Sequence, residues 1–374
     1  MEKKGNVALI TIYHVPNYGS VLQAFATQCL IEKLGFDCTI LNYKYPNEWH
    51  IIQDPKRKGS IKSKIITYFG IKSIHRKNKV LKKFRKKYFN FSDTYNSKEE
   101  LERADLTKYD VFVAGSDQLW NSRFTLADSV FMLSFVPDGK RLVSIASSFA
   151  SDSIPKEYTT KYYKYLSKFS SISVREENGK SIIENELKIK KDAKVLLDPT
   201  LLINKDEWLE KFPSKNIDKE KYILLYLLTY AFESRPYVFE VIKYFQEKYD
   251  YKVIALEGYT KPGNALGIQM EDKTDAGIEN YMSLFTNAQI VITTSFHGTA
   301  FAANFGIPLV SITPKNGDDR QASLLKKLGM DQCIIPIGTE IDKINPFYDI
   351  KTSQNILNEL RNDCLSWIDN ALSK

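Results

Sequence analysis

Asn6-Val-Ala-Leu-Ile-Thr-Ile-Tyr13 is an eight-residue apolar run of the length and composition typical of a β-strand. The loop Val15-Pro-Asn-Tyr-Gly19 follows it, and a helical pattern then extends from Ser20 to Leu34. The next run of strand type is Thr39–Tyr43. Strand, loop, helix and strand in this order make a βαβ unit, which predicts a parallel sheet.

The same alternation continues along the chain and restarts after a charged stretch at 212–221, which we interpret as a linker. At about 150 residues per domain, 374 residues indicate two domains or one large one, and the restart favours two. We therefore predict an α/β fold with two Rossmann-like, doubly wound domains facing a cleft. Their predicted bounds are 1–212 and 213–348, followed by a C-terminal amphipathic helix at 349–374 with Leu357, Leu360, Cys364, Ile368 and Leu372 on one face.

Further elements are predicted within these domains from the lengths and spacing of the apolar residues. Residues 258–276 are rich in glycine and polar side chains, and we interpret them as a long loop that binds a ligand. The other predicted strands are 109–114, 141–146, 171–174, 222–228, 252–256, 288–293 and 308–312, and the other predicted helices are 156–169, 236–249, 278–285, 299–304 and 322–328.

A basic segment at residues 55–92 holds 14 Lys and Arg and no Asp or Glu, although the whole chain has a net charge of only +8. Apolar residues recur in it at helical spacing, which predicts a pair of amphipathic helices. One interpretation is a solvated basic face. The alternative is a surface that docks on anionic lipid, at the inner face of the membrane. Nucleic acid is not expected as a partner, because no RRM, KH or zinc-finger pattern accompanies the segment and one basic stretch alone is a weak signal.

Several classes of protein are excluded by what the sequence lacks. The four cysteines form no CxxC pair, so zinc ribbons and thioredoxin-type sites are not expected. The N-terminal apolar run is too short for a signal peptide, and no apolar stretch approaches 18 residues. We therefore expect a cytoplasmic protein. No cluster has the spacing of metal ligands, and neither a metal nor a cofactor is predicted.

Polar motifs follow the predicted strands, where ligands bind in doubly wound folds. Asn17-Tyr-Gly-Ser20 lies before a helix, whose backbone N–H groups are suited to an anion; a simple tight turn is the alternative. Gly115-Ser-Asp-Gln-Leu-Trp-Asn121 surrounds one tryptophan with polar groups, which suits a sugar or a phosphorylated small molecule. The alternative for this motif is a helix cap by Ser116 or Asp117.

Two basic side chains also follow predicted strands. Arg175 offers a guanidinium that binds a carboxylate or phosphate in bidentate fashion, or it forms a salt bridge with a neighbour such as Glu176. His297 lies at the start of a helix, where the dipole disfavours the charged imidazole.

Taken together, these blocks resemble the polysaccharide pyruvyl transferase family. The resemblance runs through Asn17-Tyr-Gly19, Gln23, Gly115–Asn121, Ser173-Val-Arg-Glu176, Asp198-Pro-Thr200, Ser295-Phe-His-Gly298, Gly306-Ile-Pro308 and Arg320–Leu328, which span most of residues 14–328. It implies a GT-B-type fold, phosphoenolpyruvate as donor and a sugar of a surface polysaccharide, or of its lipid-linked precursor, as acceptor. The product would be a cyclic pyruvate ketal, with release of phosphate.

The resemblance also implies roles for individual residues. His297 and Asp117 are the predicted catalytic groups. Arg175, Arg320, Ser295 and Gly298 are predicted to bind the donor, and the predicted acceptor-binding residues are Asn17, Tyr18, Gln118, Trp120 and Asn121.

One position departs from the family pattern. Many members carry Arg-Leu before the motif histidine, where this chain has Ser295-Phe296. Either Arg320 or Lys315 replaces the missing cation, or the donor differs. Two alternatives therefore stay open: a GT-B nucleotide-sugar glycosyltransferase using Glu279 or Asp272, and a non-catalytic module that binds glycan or a membrane surface.

Overall fold

The computed structural model describes residues 3–44, 61–215, 220–229, 232–257, 267–315 and 319–373, without the side chains of 61–74 and 319. The chain forms two compact units. Unit 1 comprises Met1–Pro55, Phe84–Leu202 and Leu360–Lys374; unit 2 comprises Lys56–Lys83 and Ile203–Glu359.

Unit 1 contains a five-stranded parallel sheet in the order β3-β2-β1-β4-β5. Val7, Ala8, Leu9 and Ile10 of its first strand are all buried, as expected for a strand covered on both faces. A second, two-stranded parallel sheet pairs β6 with β7. The strands of unit 1 are β1 (Asn6–Ile10), β2 (Asp37–Tyr43), β3 (Phe91–Tyr95), β4 (Val111–Ala114), β5 (Arg141–Ser144), β6 (Ser173–Val174) and β7 (Lys194–Val195).

The helices up to the end of unit 1 connect these strands. They are α1 (Tyr18–Lys33), α2 (Ile61–Tyr88), α3 (Lys98–Arg103), α4 (Ser122–Thr125), α5 (Lys156–Leu166), α6 (Glu177–Ser181) and α7 (Pro199–Leu202), with a 3₁₀ turn at Ser129–Met132 and a π-helical turn at Ile182–Glu186.

Unit 2 contains a six-stranded parallel sheet in the order β10-β9-β8-β11-β12-β13. Its strands are β8 (Tyr222–Tyr226), β9 (Lys252–Glu257), β10 (Met270–Asp272), β11 (Ile290–Thr293), β12 (Leu309–Thr313) and β13 (Ile334–Pro336). The remaining helices are α8 (Lys205–Lys211), α9 (Tyr237–Tyr249), α10 (Ile278–Thr286), α11 (Phe296–Phe305), α12 (Asp319–Lys327) and α13 (Ile350–Ser373).

The large sheet of each unit has one topological switch point, where the connections leave two adjacent strands in opposite directions and the loops separate. In unit 1 it lies between β1 and β4, and in unit 2 between β8 and β11. Gly115–Asn121 follows β4, and Ser295–Gly298 follows β11. The predicted motifs therefore lie at the carboxyl ends of the strands, where doubly wound folds bind ligands.

The domain bounds differ from those predicted. The chain passes into unit 2 after Leu202, before residue 212, because α8 belongs to unit 2. The predicted C-terminal helix is present as α13, but residues 350–359 belong to unit 2 and its remainder to unit 1. Leu357, Cys364, Ile368 and Leu372 of its predicted apolar face are buried.

The predicted pair of basic helices is wrong for residues 61–88, which form the single helix α2; residues 45–60 lie outside the described part. Gly70 lies inside this helix, since one glycine costs only about 1 kcal/mol there. The short strands β3, β10 and β13 were not predicted; each lies at a sheet edge, and β3 and β10 also carry polar residues. Of the predicted loop 258–276, only 267–276 is described, and it contains β10.

None of the described helices combines the length and apolar character needed to cross a membrane.

Candidate functional site

Buried polar groups join the loops that follow β1 and β4 in unit 1. Thr11 Oγ1 donates to the carbonyl oxygen of Ser116 at 3.2 Å. Gln23 on α1 donates through Nε2 to Thr11 Oγ1 at 3.0 Å and to Ile12 O at 2.9 Å. Because buried polar groups need partners, these bonds hold the two loops in one arrangement at the switch point.

Asp117 occupies this loop with a φ of +73°, in the left-handed region, which costs a residue with a Cβ about 1–2 kcal/mol. Its carboxylate accepts hydrogen bonds from Ser20 Oγ at 2.6 Å and from Gln118 N at 2.9 Å. Its carbonyl oxygen accepts from Leu119 N and Ser148 N at 2.8 and 2.9 Å. Asp117 as a whole is 6% exposed, so the loop holds its carboxylate in a defined position at a buried site.

Arg175, which the sequence predicts to bind a donor anion, forms an internal ion pair in unit 1. Its side chain is 2% exposed, and Nη1 lies 2.9 Å from Asp198 Oδ2. Nε lies 3.7 Å from Glu176 Oε2. The guanidinium is therefore in the salt-bridged state that the sequence left open as the alternative, with Asp198 as its closer partner.

Asp198 is the centre of this buried cluster. Oδ2 also accepts from Ser116 Oγ at 2.9 Å, and Oδ1 accepts from Thr200 N and Thr200 Oγ1 at 3.0 and 2.8 Å. Glu176 accepts from Ser148 Oγ and Ala150 N at 2.7 and 3.0 Å. The cluster thus connects the loop after β4, the end of β6 and the start of α7.

The predicted acceptor-binding residues of unit 1 are engaged in local hydrogen bonds. Asn17 caps α1 by accepting from Ser20 N at 3.2 Å, and Tyr18 is fully buried. Gln118 Oε1 accepts from Asn121 Nδ2 at 2.7 Å. Asn121 Oδ1 accepts from Arg123 N at 3.0 Å and caps α4, so the cap in this motif comes from Asn121 and not from Ser116 or Asp117.

The structure corrects the prediction for Trp120, which lies in the core of unit 1 and is 1% exposed. Its indole N–H donates to Phe131 O at 3.0 Å. The ring contacts Phe149 and Phe169, at centroid distances of 5.2 and 5.9 Å. Because packing covers the indole, it offers no face on which a sugar could stack.

His14 and Arg85 belong to the same edge of unit 1, and the sequence did not single them out. Arg85, at the end of α2, donates through Nη1 to Tyr13 O at 2.7 Å and to His14 O at 3.2 Å. Burial, together with the nearby cations Arg85 and Lys44, lowers the pKa of His14 to about 4, so its imidazole is neutral at pH 7. A histidine directly after a strand and before the Asn17 motif was the available signal.

In unit 2, the loop after β11 holds Ser295, Phe296 and His297 at the start of α11. Ser295 caps the helix, since its Oγ accepts from Gly298 N at 3.4 Å. His297 lies in the first turn and is 7% exposed. Thr294 Oγ1 donates to Leu228 O and accepts from Leu228 N, at 2.9 and 2.8 Å, and so joins the loops on both sides of the switch point.

Gly298 is required by close packing. A Cβ at this position would overlap Thr293 Oγ1 and lie 2.9 Å from Tyr226 Cδ1. Thr293 cannot move freely, because its hydroxyl donates to Tyr226 O at 2.7 Å and accepts from Ser295 N at 3.0 Å. The glycine lets α11 start directly against β8 and β11.

Arg320 is half-buried in the first turn of α12, which follows β12 at the same edge of the sheet. The next residue, Gln321, donates through Nε2 to Ser311 Oγ at 2.6 Å and to Thr299 Oγ1 at 3.2 Å, which anchors this turn. Lys315 is exposed. Ser295 thus stands at the position of the arginine in the family pattern, and the cations Arg320 and Lys315 follow the adjacent strand β12.

The acidic candidates of unit 2 lie at exposed positions. Glu279 is in the first turn of α10, and Asp272 ends β10 and accepts from Thr274 N at 2.8 Å. Among the described residues, no group of three or more His, Cys, Asp or Glu side chains is arranged to hold a metal ion.

Solved structures similar to this chain share its fold at low sequence identity. They include the S. aureus MnaA–UDP co-structure (TM-score 0.51, 11% identity, 97% of each chain covered) and UDP-N-acetylglucosamine 2-epimerase from Rickettsia bellii (0.51, 12%, 97% of this chain and 96% of that one). An α-glucosyltransferase bound to UDP and a 13-mer DNA is similar as well (0.52, 8%, 99% of each chain). These likenesses confirm the predicted α/β fold of GT-B type.

The family of this chain follows from its sequence. No curated protein sequence matches this chain. The model of the family described as polysaccharide pyruvyl transferase matches residues 17–316, which include the motif loops of both switch points. The chain therefore belongs to the polysaccharide pyruvyl transferase family.

Proposed function

We propose that this protein transfers pyruvate from phosphoenolpyruvate to two hydroxyls of a sugar, forming a cyclic ketal and releasing phosphate. The observation that carries the proposal is the family match over residues 17–316, together with the position of its motif loops at both switch points. Asp117 supplies a positioned carboxylate in unit 1, and His297 supplies an imidazole in unit 2.

The reaction makes two demands on these residues, proton transfer and stabilisation of negative charge. The enol methylene carbon must gain a proton, which leaves an oxocarbenium-like centre at C2. One sugar hydroxyl attacks C2, the bond from C2 to the phosphate oxygen breaks, and the second hydroxyl closes the ketal. Of the two hydroxyl protons, one replaces the proton given to the methylene carbon and the other leaves on phosphate. The protein therefore needs an acid/base group and cations that stabilise the anionic donor.

We assign the donor to unit 2. Ser295 and the first turn of α11 present a helix N-terminus, which favours an anion. Arg320 supplies the cation that Ser295-Phe296 lacks, because it lies in the first turn of α12, the helix after the adjacent strand β12. His297 acts as the acid or as a phosphate ligand, and Gly298 contributes through the close approach of its backbone.

We assign the acceptor to unit 1. Asp117 is the acid/base group for the acceptor hydroxyls, and the amides of Asn17, Gln118 and Asn121 read the hydroxyl pattern. These groups already hydrogen-bond to each other or to helix ends, so acceptor binding exchanges existing bonds for new ones. Tyr18 shapes the floor of this region, because it is buried directly beside Asn17.

We further propose that the acceptor is carried on a lipid and that α2 docks on an anionic membrane surface, which would place the protein on the cytoplasmic face. Lys79, Lys82, Lys83, Lys86 and Lys87 are exposed along one side of α2, whereas Leu81 and Phe84 are buried. Because the apolar side is used in packing, the attraction is electrostatic, at about 1 kcal/mol per lysine near the surface.

Vesicle sedimentation tests this docking. We expect the protein to bind vesicles with anionic lipid at low salt and to be released by salt, and the double variant Lys82→Glu/Lys86→Glu to bind at least tenfold more weakly. The control Lys108→Glu/Lys164→Glu changes two exposed lysines elsewhere by the same charge. Equal binding of both variants, or equal binding to neutral vesicles, would remove the argument.

Thermal shift and product analysis test the reaction. Phosphoenolpyruvate is expected to raise the unfolding midpoint of the wild type by mass action, and this shift is expected to disappear in Arg320→Ala. Incubation with phosphoenolpyruvate and lipid-linked glycans should then form an acid-labile pyruvate ketal and free phosphate. No ketal on any acceptor glycan, with binding intact, would contradict pyruvyl transfer.

A nucleotide-sugar glycosyltransferase is the second candidate, because two of the similar structures contain UDP. In that case Glu279 or Asp272 would hold the ribose or the sugar. A midpoint shift with UDP and none with phosphoenolpyruvate would favour this candidate. A shift with neither ligand, and no effect of His297→Ala on the cell-surface glycan, would favour the non-catalytic module.

A further inference from the structure

We infer that Asp198 is a positioning residue that acts through Ser116 to hold Asp117 in its left-handed conformation. This inference rests on the proposed function, in which Asp117 is the acid/base group. Asp198 does not reach substrate, because its side chain is 0% exposed. It acts by orienting the neighbouring carboxylate of Asp117.

Asp198 works as a pure acceptor. Four donors converge on its two oxygens: Ser116 Oγ and Arg175 Nη1 on Oδ2, and the backbone N and Oγ1 of Thr200 on Oδ1, all between 2.8 and 3.0 Å. An ionised carboxylate accepts on both oxygens, whereas an asparagine has one oxygen and one NH₂ group. An asparagine here would turn an N–H toward existing donors, so the site requires the carboxylate.

The guanidinium of Arg175 reinforces this requirement. It is buried, and a buried charge needs a nearby opposite charge and hydrogen bonds. Asp198 supplies both at 2.9 Å, while Glu176 lies at 3.7 Å. Arg175 therefore holds Asp198 in place, and this ion pair accounts for the conformation of the guanidinium.

Ser116 transmits the position of Asp198 to Asp117. Its hydroxyl lies 2.9 Å from Asp198 Oδ2 and 3.0 Å from Ala146 O, and its carbonyl oxygen accepts from Thr11 Oγ1. With both its side chain and its carbonyl held, Ser116 fixes the peptide plane that precedes Asp117. A left-handed φ at a residue other than glycine persists only when its surroundings over-determine it.

The position of the Asp117 carboxylate follows from that φ. It brings Oδ2 to within 2.6 Å of Ser20 Oγ on α1 and leaves the carbonyl oxygen to accept from Leu119 and Ser148. If Ser116 is released, Asp117 can relax to a negative φ, and both sets of bonds are lost together. A proton-transfer group that has turned away from its substrate lowers kcat more than it weakens binding.

Amide hydrogen exchange on the full chain tests the inference without any assay of activity. The variants are Ser116→Ala, which removes only the connecting hydroxyl, and Asp198→Asn. Gln28→Met is the matched control, since it removes buried side-chain bonds to Tyr88 O and Asn90 N elsewhere in unit 1. We expect the amides of Leu119 and Ser148 to exchange at least tenfold faster in both variants and at the wild-type rate in the control. Equal rates in Ser116→Ala and the control would overturn the inference.

Kinetics supply the second test. Ser116→Ala is expected to lower kcat at least tenfold, to leave KM for phosphoenolpyruvate within twofold, and to have no further effect on kcat in an Asp117→Asn background. An equal loss of kcat in both backgrounds would contradict positioning through Asp117. If the wild type transfers no pyruvate, the proposed function fails, while the exchange experiment still decides whether Asp198 and Ser116 hold this loop.

Discussion

Replacement of Gly298 by alanine is expected to destabilise unit 2 strongly. The new methyl group would overlap Thr293 Oγ1 and press on the ring of Tyr226, which lies 2.9 Å from the Cβ position. Relief requires Thr293 to give up two hydrogen bonds, to Tyr226 O and from Ser295 N, at about 1 kcal/mol each. Crowding adds about 1–3 kcal/mol, and the better helix propensity of alanine returns about 1 kcal/mol. The net loss is about 2–4 kcal/mol.

Urea denaturation, followed by circular dichroism, measures this loss as a lower midpoint at an unchanged slope. Gly277→Ala is the control in the same unit, because its Cβ would meet no atom closer than 3.5 Å and its φ is −68°. We expect the control to stay within about 0.5 kcal/mol of the wild type. A Gly298→Ala variant within about 1 kcal/mol of the wild type would refute the view that close packing requires this glycine.

Three further outcomes follow from buried groups in unit 1. The pKa of His14 in the folded protein is about 4, below its ordinary 6.5. The unfolded chain therefore binds more protons than the folded one between these two pH values, and stability is lost as the pH falls through that window. In urea titrations, the wild type should lose about 2 kcal/mol more than His14→Gln between pH 7 and pH 4.5. Arg85→Met removes a cation that lowers the pKa of His14, so this pKa should rise toward 6.5 in NMR titration, and an unchanged value would contradict the charge effect. Trp120→Phe loses the hydrogen bond to Phe131 O and leaves a void, so it should lower the free energy of unfolding by about 2–4 kcal/mol in urea titrations. Trp367→Phe, at a half-buried position, should lower it by less than half as much.

Much of the fold was predictable because parallel strands buried on both faces appear in the sequence as continuous apolar runs. Asn6–Ile10, Val111–Ala114 and Ile290–Thr293 were all found in this way. The edge strand Phe91–Tyr95 was missed for the converse reason, because it is half exposed and carries polar residues. The basic segment was predicted as a pair of helices, but residues 61–88 form one continuous helix.

The candidate site was predictable only as a set of loops. The positions of Asp117 and His297 at the two switch points follow from the order of strands and motifs. The partners of Arg175 and Trp120 could not be predicted from that order. A guanidinium binds a ligand or an internal carboxylate with the same chemistry, and an indole packs equally well against a sugar or in a core. Asp198 lies 23 residues after Arg175, and only the fold brings them to 2.9 Å.

By itself, the sequence determined the α/β class, the alternation of elements and the family, because these depend on local periodicity and on the order of motifs. Tertiary structure alone decided which polar groups are paired, which glycine is sterically required and where each unit ends. The physical reason is that pairing and burial depend on contacts between residues far apart in sequence. Such contacts pair Arg175 with Asp198 and enclose Trp120 in the core, and they hold the carboxylate of Asp117 in position.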